Sequence, residues 1–331
     1  MKITYPDFYN EFKCIASACS DSCCIGWEVD IDPFTMSIYE NTEGEFGEVL
    51  RANIAHDECD HFILKGERCP FLNDKNLCEI FINMGEDKLC DICSDHPRFY
   101  EWFGDRTEKG LGLCCEEVCR LLFEKEDKLC FITEEDDEED EDVELDPELY
   151  TELLTERKGI IALLQNRDLS VKERALALIG ETEKTDGKEA LEAVLSFYLG
   201  LESIDANWQK SLKWALQNME KLAAADTSVL SEIHYEHFLV YLVYRYYMKA
   251  VFDGSTWEKL TLALSALVAL RAADLAVLIQ KGSFSFSDRV INAKGFSKDV
   301  EYSGDNLAAF EEGAENLLAP EILSAAIEYL F

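Results

Sequence analysis

Twelve of the thirteen cysteines fall between residues 14 and 119, and no other residue type in the chain is so unevenly placed. They run Cys14, Cys19, Cys23-Cys24, Cys59, Cys69, Cys78, Cys90-x-x-Cys93, Cys114-Cys115 and Cys119; Cys130 follows, and the remaining 201 residues have none. Thiolates are soft ligands, suited to zinc and iron–sulfur clusters rather than to calcium or magnesium. A structural zinc site takes four ligands, often as two close pairs. Cys90 and Cys93 form one such pair, Cys19 and Cys23 with Cys24 offer another, and Cys69 and Cys78 could supply more. That exceeds what one zinc requires. It fits a four-iron cluster with extra structural cysteines, a cluster plus zinc, or two metals. The Cys-x3-Cys-x2-Cys pattern of radical chemistry is absent, because Gly26 and Leu122 stand where the third cysteine would be. A lone cysteine is usually a small buried hydrophobe, the reading given to Cys59, Cys119 and Cys130, and also to Cys14 and Cys114. His56, His61, His234 and His237 read as surface or packing residues.

Neighbouring cysteines such as Cys23-Cys24 and Cys114-Cys115 bridge only through a strained ring, so a disulfide framework is disfavoured. The Met1–Phe12 start carries Lys2, Asp7 and Glu11 and no apolar signal-type stretch. The longest uncharged apolar run, Leu260–Leu270, is about half of the ~20 residues that a membrane-spanning helix needs. The expected setting is cytoplasmic, with no membrane partner. Net charge is −36, and removing the eleven acids between Glu134 and Asp146 still leaves −25. Nucleic acid is excluded as an expected partner, since phosphate binding needs clustered Lys and Arg. A lysine-bearing protein would be attracted, although acidity also simply confers solubility.

The elements that must position these residues divide by composition. The expected class is mainly α, with an irregular cysteine-rich metal- or cluster-binding domain (1–132), an acidic linker (133–146) and an all-helical domain (147–331). In the first part, Trp27–Asp32 alternates as a short strand would, with a turn into a helix equally open from the family resemblance given below, Asp32-Pro33 starts a helix, and Asn73–Leu77 is a turn. Gly110–Phe123 ends the region in a helix carrying Cys115 and Cys119 on one face. In the second, Asp146-Pro147 opens a helix, Ser170 and Glu173 form a capping box, and Lys188–Leu201 is a third helix. Asn207–Ala225 repeats apolar residues at helical spacing, and Tyr235–Phe252 is an aromatic helix. Ser255–Glu258 caps an apolar helix reaching about Lys281, whose all-round hydrophobicity marks the central buried element.

The segment Phe12–Trp27 with its four cysteines, followed by Ile31-Asp32, resembles the opening of the flagellin lysine-N-methylases, within the wider group of cysteine-rich zinc- or iron-chelating proteins. The resemblance continues through Cys69-Pro-Phe-Leu72, Leu77-Cys78, Gly85–Cys93, Pro97-Arg98 and Leu113–Arg120. It resumes in Val243–Phe252 and Phe296–Leu307. The family has Tyr where this chain has His96, and Ser-Cys-Pro-Glu where it has Cys114–Glu117. The resemblance implies methyl transfer from S-adenosylmethionine to lysines of flagellin or another lysine-bearing protein, with a cysteine-bound iron–sulfur cluster of the 4Fe-4S type. It supports Cys19, Cys23, Cys24, Cys69, Cys78, Cys90, Cys93 and Cys115 as ligands, with zinc as the alternative metal.

Such chemistry makes its own demands. No Gly-x-Gly-x-x-Gly loop follows a strand, so no dinucleotide-type site is visible. A lysine amine with a pKa of roughly 10.4 must lose its proton before it attacks a methyl group. Tyr241, Tyr244, Tyr246 and Tyr247 beside Arg245 form the best surface for desolvating it, or alternatively a helix-packing core. Arg98, Arg245 and Tyr244 are the candidate cofactor contacts. Two rival readings stand beside this one: a non-enzymatic zinc-stabilised interaction module, and an iron–sulfur redox or iron sensor.

Overall fold

The computed structural model describes residues 1–20, 22–26, 29–135, 143, 145–314 and 316–331. Its strands are β1 (Lys2–Pro6), β2 (Ile54–His56), β3 (Asp60–Phe62), β4 (Arg98–Trp102), β5 (Arg106–Leu111) and β6 (Phe131–Glu135). Helices dominate the rest, so the chain is mainly α with a cysteine-rich N-terminal region. It divides into two compact units. One is Met1–Glu11 with Tyr100–Cys114 and Val118–Phe331; the other is Phe12–Phe99 with Cys115–Glu117.

That division departs from the boundaries at 132 and 147, and strand pairing is the reason. The first unit carries a sheet ordered β4-β5-β1-β6. β1 runs parallel to β5, with Lys2 opposite Arg106 and Thr4 opposite Glu108. It runs antiparallel to β6, with Lys2 opposite Glu135 and Pro6 opposite Phe131. Glu134 and Glu135, expected to open an acidic linker, instead lie in a strand, with Glu135 opposite Lys2 in the register. The rest of that acidic run, 136–142 and 144, lies outside the described residues.

Helix starts follow the expected caps. Asp146 accepts from the backbone of Glu148 and Leu149 ahead of Pro147–Leu164, and Ser170 and Glu173 close a capping box on Val171–Ile179. Two expected helices are broken. Asn207–Ala225 divides into Ala206–Gln217 and Met219–Ala223, because Asn218 sits at φ −132° and ψ 28° with its side chain on the Trp214 carbonyl. The aromatic helix is Glu232–Tyr246, then tightens to a 3-10 turn at Tyr247–Lys249 before Ala250–Asp253. Ser255 makes no side-chain cap; its N–H donates to Asp253 Oδ1 at 2.8 Å instead. Thr256–Lys281 is long and apolar enough to cross a membrane by composition, but 83% of its most apolar window is buried inside the protein. It is the core helix that its sequence implies.

The Phe296–Leu307 segment anchors a loop. Asp299 accepts from Ile204 N (2.8 Å), Asp205 N (2.5 Å) and Gln209 Nε2 (3.0 Å). Asn306 grips Glu202 through both its carbonyl and its N–H, each at 2.9 Å. Gly295 lets Trp208 lie against helix Phe286–Glu301, since a Cβ there would meet the Trp208 Cβ at 2.8 Å. Asp299→Ala is expected to lower stability by about 3 kcal/mol, because a buried donor left without its acceptor costs roughly 1–3 kcal/mol. Thermal unfolding reads this, and an unshifted midpoint would show that the carboxylate is no anchor.

In the second unit, Asp32 caps Pro33–Asn41 by accepting from Thr35 N at 2.8 Å. Gly44–Ala52 follows so closely that a Cβ on Gly47 would strike the Thr42 carbonyl oxygen at 1.9 Å. Arg51 reaches back to the Tyr39, Glu40 and Thr42 carbonyls at 3.3, 3.0 and 2.9 Å, satisfying the orphan acceptors of the preceding helix end. β2 and β3 form a hairpin. Of the expected strand at 27–32, Trp27 and Glu28 lie outside the described residues, and Asp30 forms one isolated bridge to His61.

Candidate metal centre

The core of the second unit is apolar and it contains thiols. Val29, Met36, Tyr39, Leu50, Phe62, Phe71 and Ile80 pack with Cys69 and Cys90, and Cys24, Cys78 and Cys93 lie against them. Short local elements deliver each one. Cys69 N donates to the Cys24 carbonyl at 2.9 Å, bringing those two segments side by side. Leu72 turns back on the Cys69 carbonyl and bridges to Cys78. The turn between them is set by Asn73 Oδ1, which accepts from Lys75 N and Leu77 N. Cys78 and Cys90 each stand at the start of a short helix, Glu79–Met84 and Asp91–Asp95, and Cys93 lies one turn into the second.

These five thiols sense one another. Burial pushes Cys69 up to about 12, with Cys24, Cys78 and Cys90 adding to it. Burial also raises Cys78. A hydrogen bond from Cys93 holds Cys90 below its usual value and raises Cys93 in return. Cys23 does the same for Cys24, which falls to about 7. As donors, thiols are of the type a soft cation or cluster takes, and binding one would replace several buried protons by one shared positive centre.

The other thiols are not part of that core. Cys23 is bonded to Cys24 but also feels Cys14 and Cys115. Cys19 Sγ lies 3.6 Å from Glu116 Oε2, and Ser20 N donates to the same oxygen at 2.9 Å, tying the 19–20 turn to the 115–117 segment. Of the eight expected ligands, five therefore share or border one apolar core; Cys23 is exposed and links Cys24 to the neighbourhood of Cys14 and Cys115, and Cys19 and Cys115 are half-buried. Cys59 is exposed with its Sγ 3.4 Å from Asp30, and Cys130 is exposed. Cys114 and Cys119 are buried in the first unit, where Cys119 donates to the Leu113 carbonyl at 3.0 Å. The expected helix begins only at Glu116, so Cys115 precedes it and does not share a helical face with Cys119.

The arginines and tyrosines also have definite places. Arg98 Nη1 reaches the Ser94 carbonyl at 3.4 Å, with its guanidinium over the Phe12 ring. Tyr244 donates its hydroxyl toward the carbonyls of Thr4 (2.8 Å) and Lys109 (3.0 Å), stacks on Phe131 and lies under Arg157. It thereby fastens the sheet to helix Glu232–Tyr246. Arg245 pairs with Glu301 at 2.9 Å. Glu301 Oε1 also accepts from Tyr241 (2.8 Å) and Tyr246 (3.0 Å), whereas Glu301 Oε2 is buried with no hydrogen-bond partner. Burial raises Tyr241, Tyr244 and Tyr246 well above the usual phenol value, so they hold their protons. Burial opposes the Arg245 charge, but Glu301 and the tyrosines outweigh it. Glu301 lies in the family-like Phe296–Leu307 segment, but its pairing with Arg245, 56 residues away, has no motif to announce it.

Residues 188–322 match the profile of the FliB lysine N-methylase C-terminal domain. Tyr241, Arg245, Tyr246 and Glu301 all lie inside that matched segment. The chain is 29% identical over 141 residues to the flagellar biosynthetic protein FliU of Salmonella muenchen, covering 38% of this chain and 80% of that one. It is 29% identical over 142 residues to the lysine-N-methylases of Salmonella typhimurium and Salmonella choleraesuis, covering 38% of this chain and 34% of each. The match thus spans about a third of those enzymes. No solved structure matches.

Proposed function

We propose that this protein methylates lysine side chains of a protein substrate, flagellin first among them, with S-adenosylmethionine as donor. The observation that carries the reading is the buried Arg245–Glu301–Tyr241–Tyr246 group inside the segment matching a lysine N-methylase domain. S-adenosylmethionine supplies an electrophilic methyl group, and every other demand falls on the chain. The incoming lysine must be desolvated and must give up a proton. Glu301 Oε2, buried and unpartnered, is the acceptor we assign, because the neighbouring phenols keep their protons. The amine then forms its N–C bond as the methyl C–S bond breaks, leaving the thioether S-adenosylhomocysteine. Cys24, Cys69, Cys78, Cys90 and Cys93 would hold an iron–sulfur cluster or zinc that keeps the second unit folded.

Purified protein incubated with S-adenosylmethionine and flagellin is expected to add one CH2 of mass per methylation to flagellin lysines, with S-adenosylhomocysteine formed in equal amount. Saturating cofactor with neither product would refute the reading.

A further inference from the structure

One cavity in the first unit is not used by anything described above. Its volume is about 570 Å³, and Phe103, Val143, Leu145 and Leu154 supply apolar walls. That size falls within the roughly 300–1,000 Å³ of small-molecule sites. The hairpin turn between β4 and β5, with Gly104 at φ +65°, presents Asp105 and Arg106 to it. Helix Pro147–Leu164 presents Tyr150 and Thr151.

Two polar atoms here are unsatisfied. Arg106 Nε and the Tyr150 hydroxyl are both buried without a hydrogen-bond partner, and Tyr150 is only 8% exposed. Burial pushes the Tyr150 phenol up to about 12, so it keeps its proton and acts as a donor. Leaving buried donors without acceptors costs stability, and such orphans are expected where a ligand completes them. Two unsatisfied donors on residues lining one cavity, one of them on a guanidinium whose carbon lies 6.0 Å from the Tyr150 ring centroid, suit a carboxylate. The exposed Asp105 carboxylate beside them suits an ammonium. The pattern is that of the amino-acid end of a zwitterion whose bulkier body rests on the apolar walls. A simple anion would be repelled by a chain of net charge −36, whereas a ligand with a net positive charge would be attracted. Arg98 and Arg245 already have acceptors for their guanidiniums.

We infer that this cavity binds S-adenosylmethionine, with Arg106 and Tyr150 holding its carboxylate and Asp105 its ammonium. The assignment rests on the methyl-transfer reading above. Isothermal titration of the full chain with S-adenosylmethionine tests it without relying on turnover. Arg106→Gln removes the cation, and Thr151→Trp fills the cavity from an exposed helix position. Each is expected to weaken binding at least tenfold, while Lys188→Gln, on an exposed pair with Glu220, leaves it unchanged. Melting curves of both cavity variants check that they fold. If wild type and both variants bind with the same Kd, the cavity is not the site and the methyl-transfer reading survives. If wild type does not bind at all, both fall.

Discussion

Cys69→Ala and Cys90→Ala are each expected to abolish the metal binding proposed for the second unit and to unfold that unit, whereas Cys59→Ser and Cys130→Ser leave metal content and melting unchanged. The contrast follows from where the sulfurs lie. Cys69 and Cys90 are 7% and 1% exposed inside the apolar core, and Cys24, Cys78 and Cys93 border it. Cys59 and Cys130 are exposed, with their thiols on other partners. A structural metal can contribute on the order of 10 kcal/mol to folding of the unit it holds, far above the loss from one thiol's packing. Alanine is the sharper probe, since serine would add the cost of burying a hydroxyl, roughly 1–3 kcal/mol. Loading the apo protein is also expected to release protons, because Cys69 and Cys78 are held protonated by burial. Affinity should therefore rise with pH. Metal and sulfide analysis of anaerobically purified protein distinguishes zinc from an iron–sulfur cluster. A full metal complement in both alanine variants would remove these cysteines from the ligand set.

What could be read in the chain was local. Asp32-Pro33, Asn73–Leu77, Asp146-Pro147 and Ser170–Glu173 each carry their hydrogen-bonding instruction within a few residues, and each forms what it encodes. β1 has only five residues and gains meaning from partners that begin 104 and 129 positions away; alternation within it says nothing of that. The breaks at Asn218 and Tyr247 interrupt patterns whose apolar spacing continues across them. Spacing identified eight thiols as candidates but could not sort them. Sorting depends on which segments turn into an apolar core, and the Cys24–Cys69 backbone contact that does this joins residues 45 apart. Arg106 and Tyr150 had no signal at all, and Glu301 had only its place in the family-like Phe296–Leu307 segment, because an unsatisfied donor or acceptor exists only once everything else has been placed.

Glu301→Gln is expected to reduce methyl transfer at least 100-fold while leaving S-adenosylmethionine binding intact, in line with the roughly 10²–10⁴-fold contribution of a positioned base. The amide can still accept on one side from Tyr241, Tyr246 and Arg245, so the scaffold around Oε1 is kept. What disappears is the carboxylate oxygen that has no partner. Stability must be tested separately, because Arg245 loses its counter-charge. Glu301→Ala alone is expected to cost about 3–5 kcal/mol, the usual penalty for breaking a buried ion pair from one side. Adding Arg245→Met should recover much of that stability, since no charge is then left unpaired, but should recover no activity. This double variant separates the two roles. If Glu301 only holds the helices together, the restored fold should methylate again; if it accepts the lysine proton, a stable and inactive protein results. A Glu301→Gln protein with wild-type turnover would transfer the proton-acceptor role to another group.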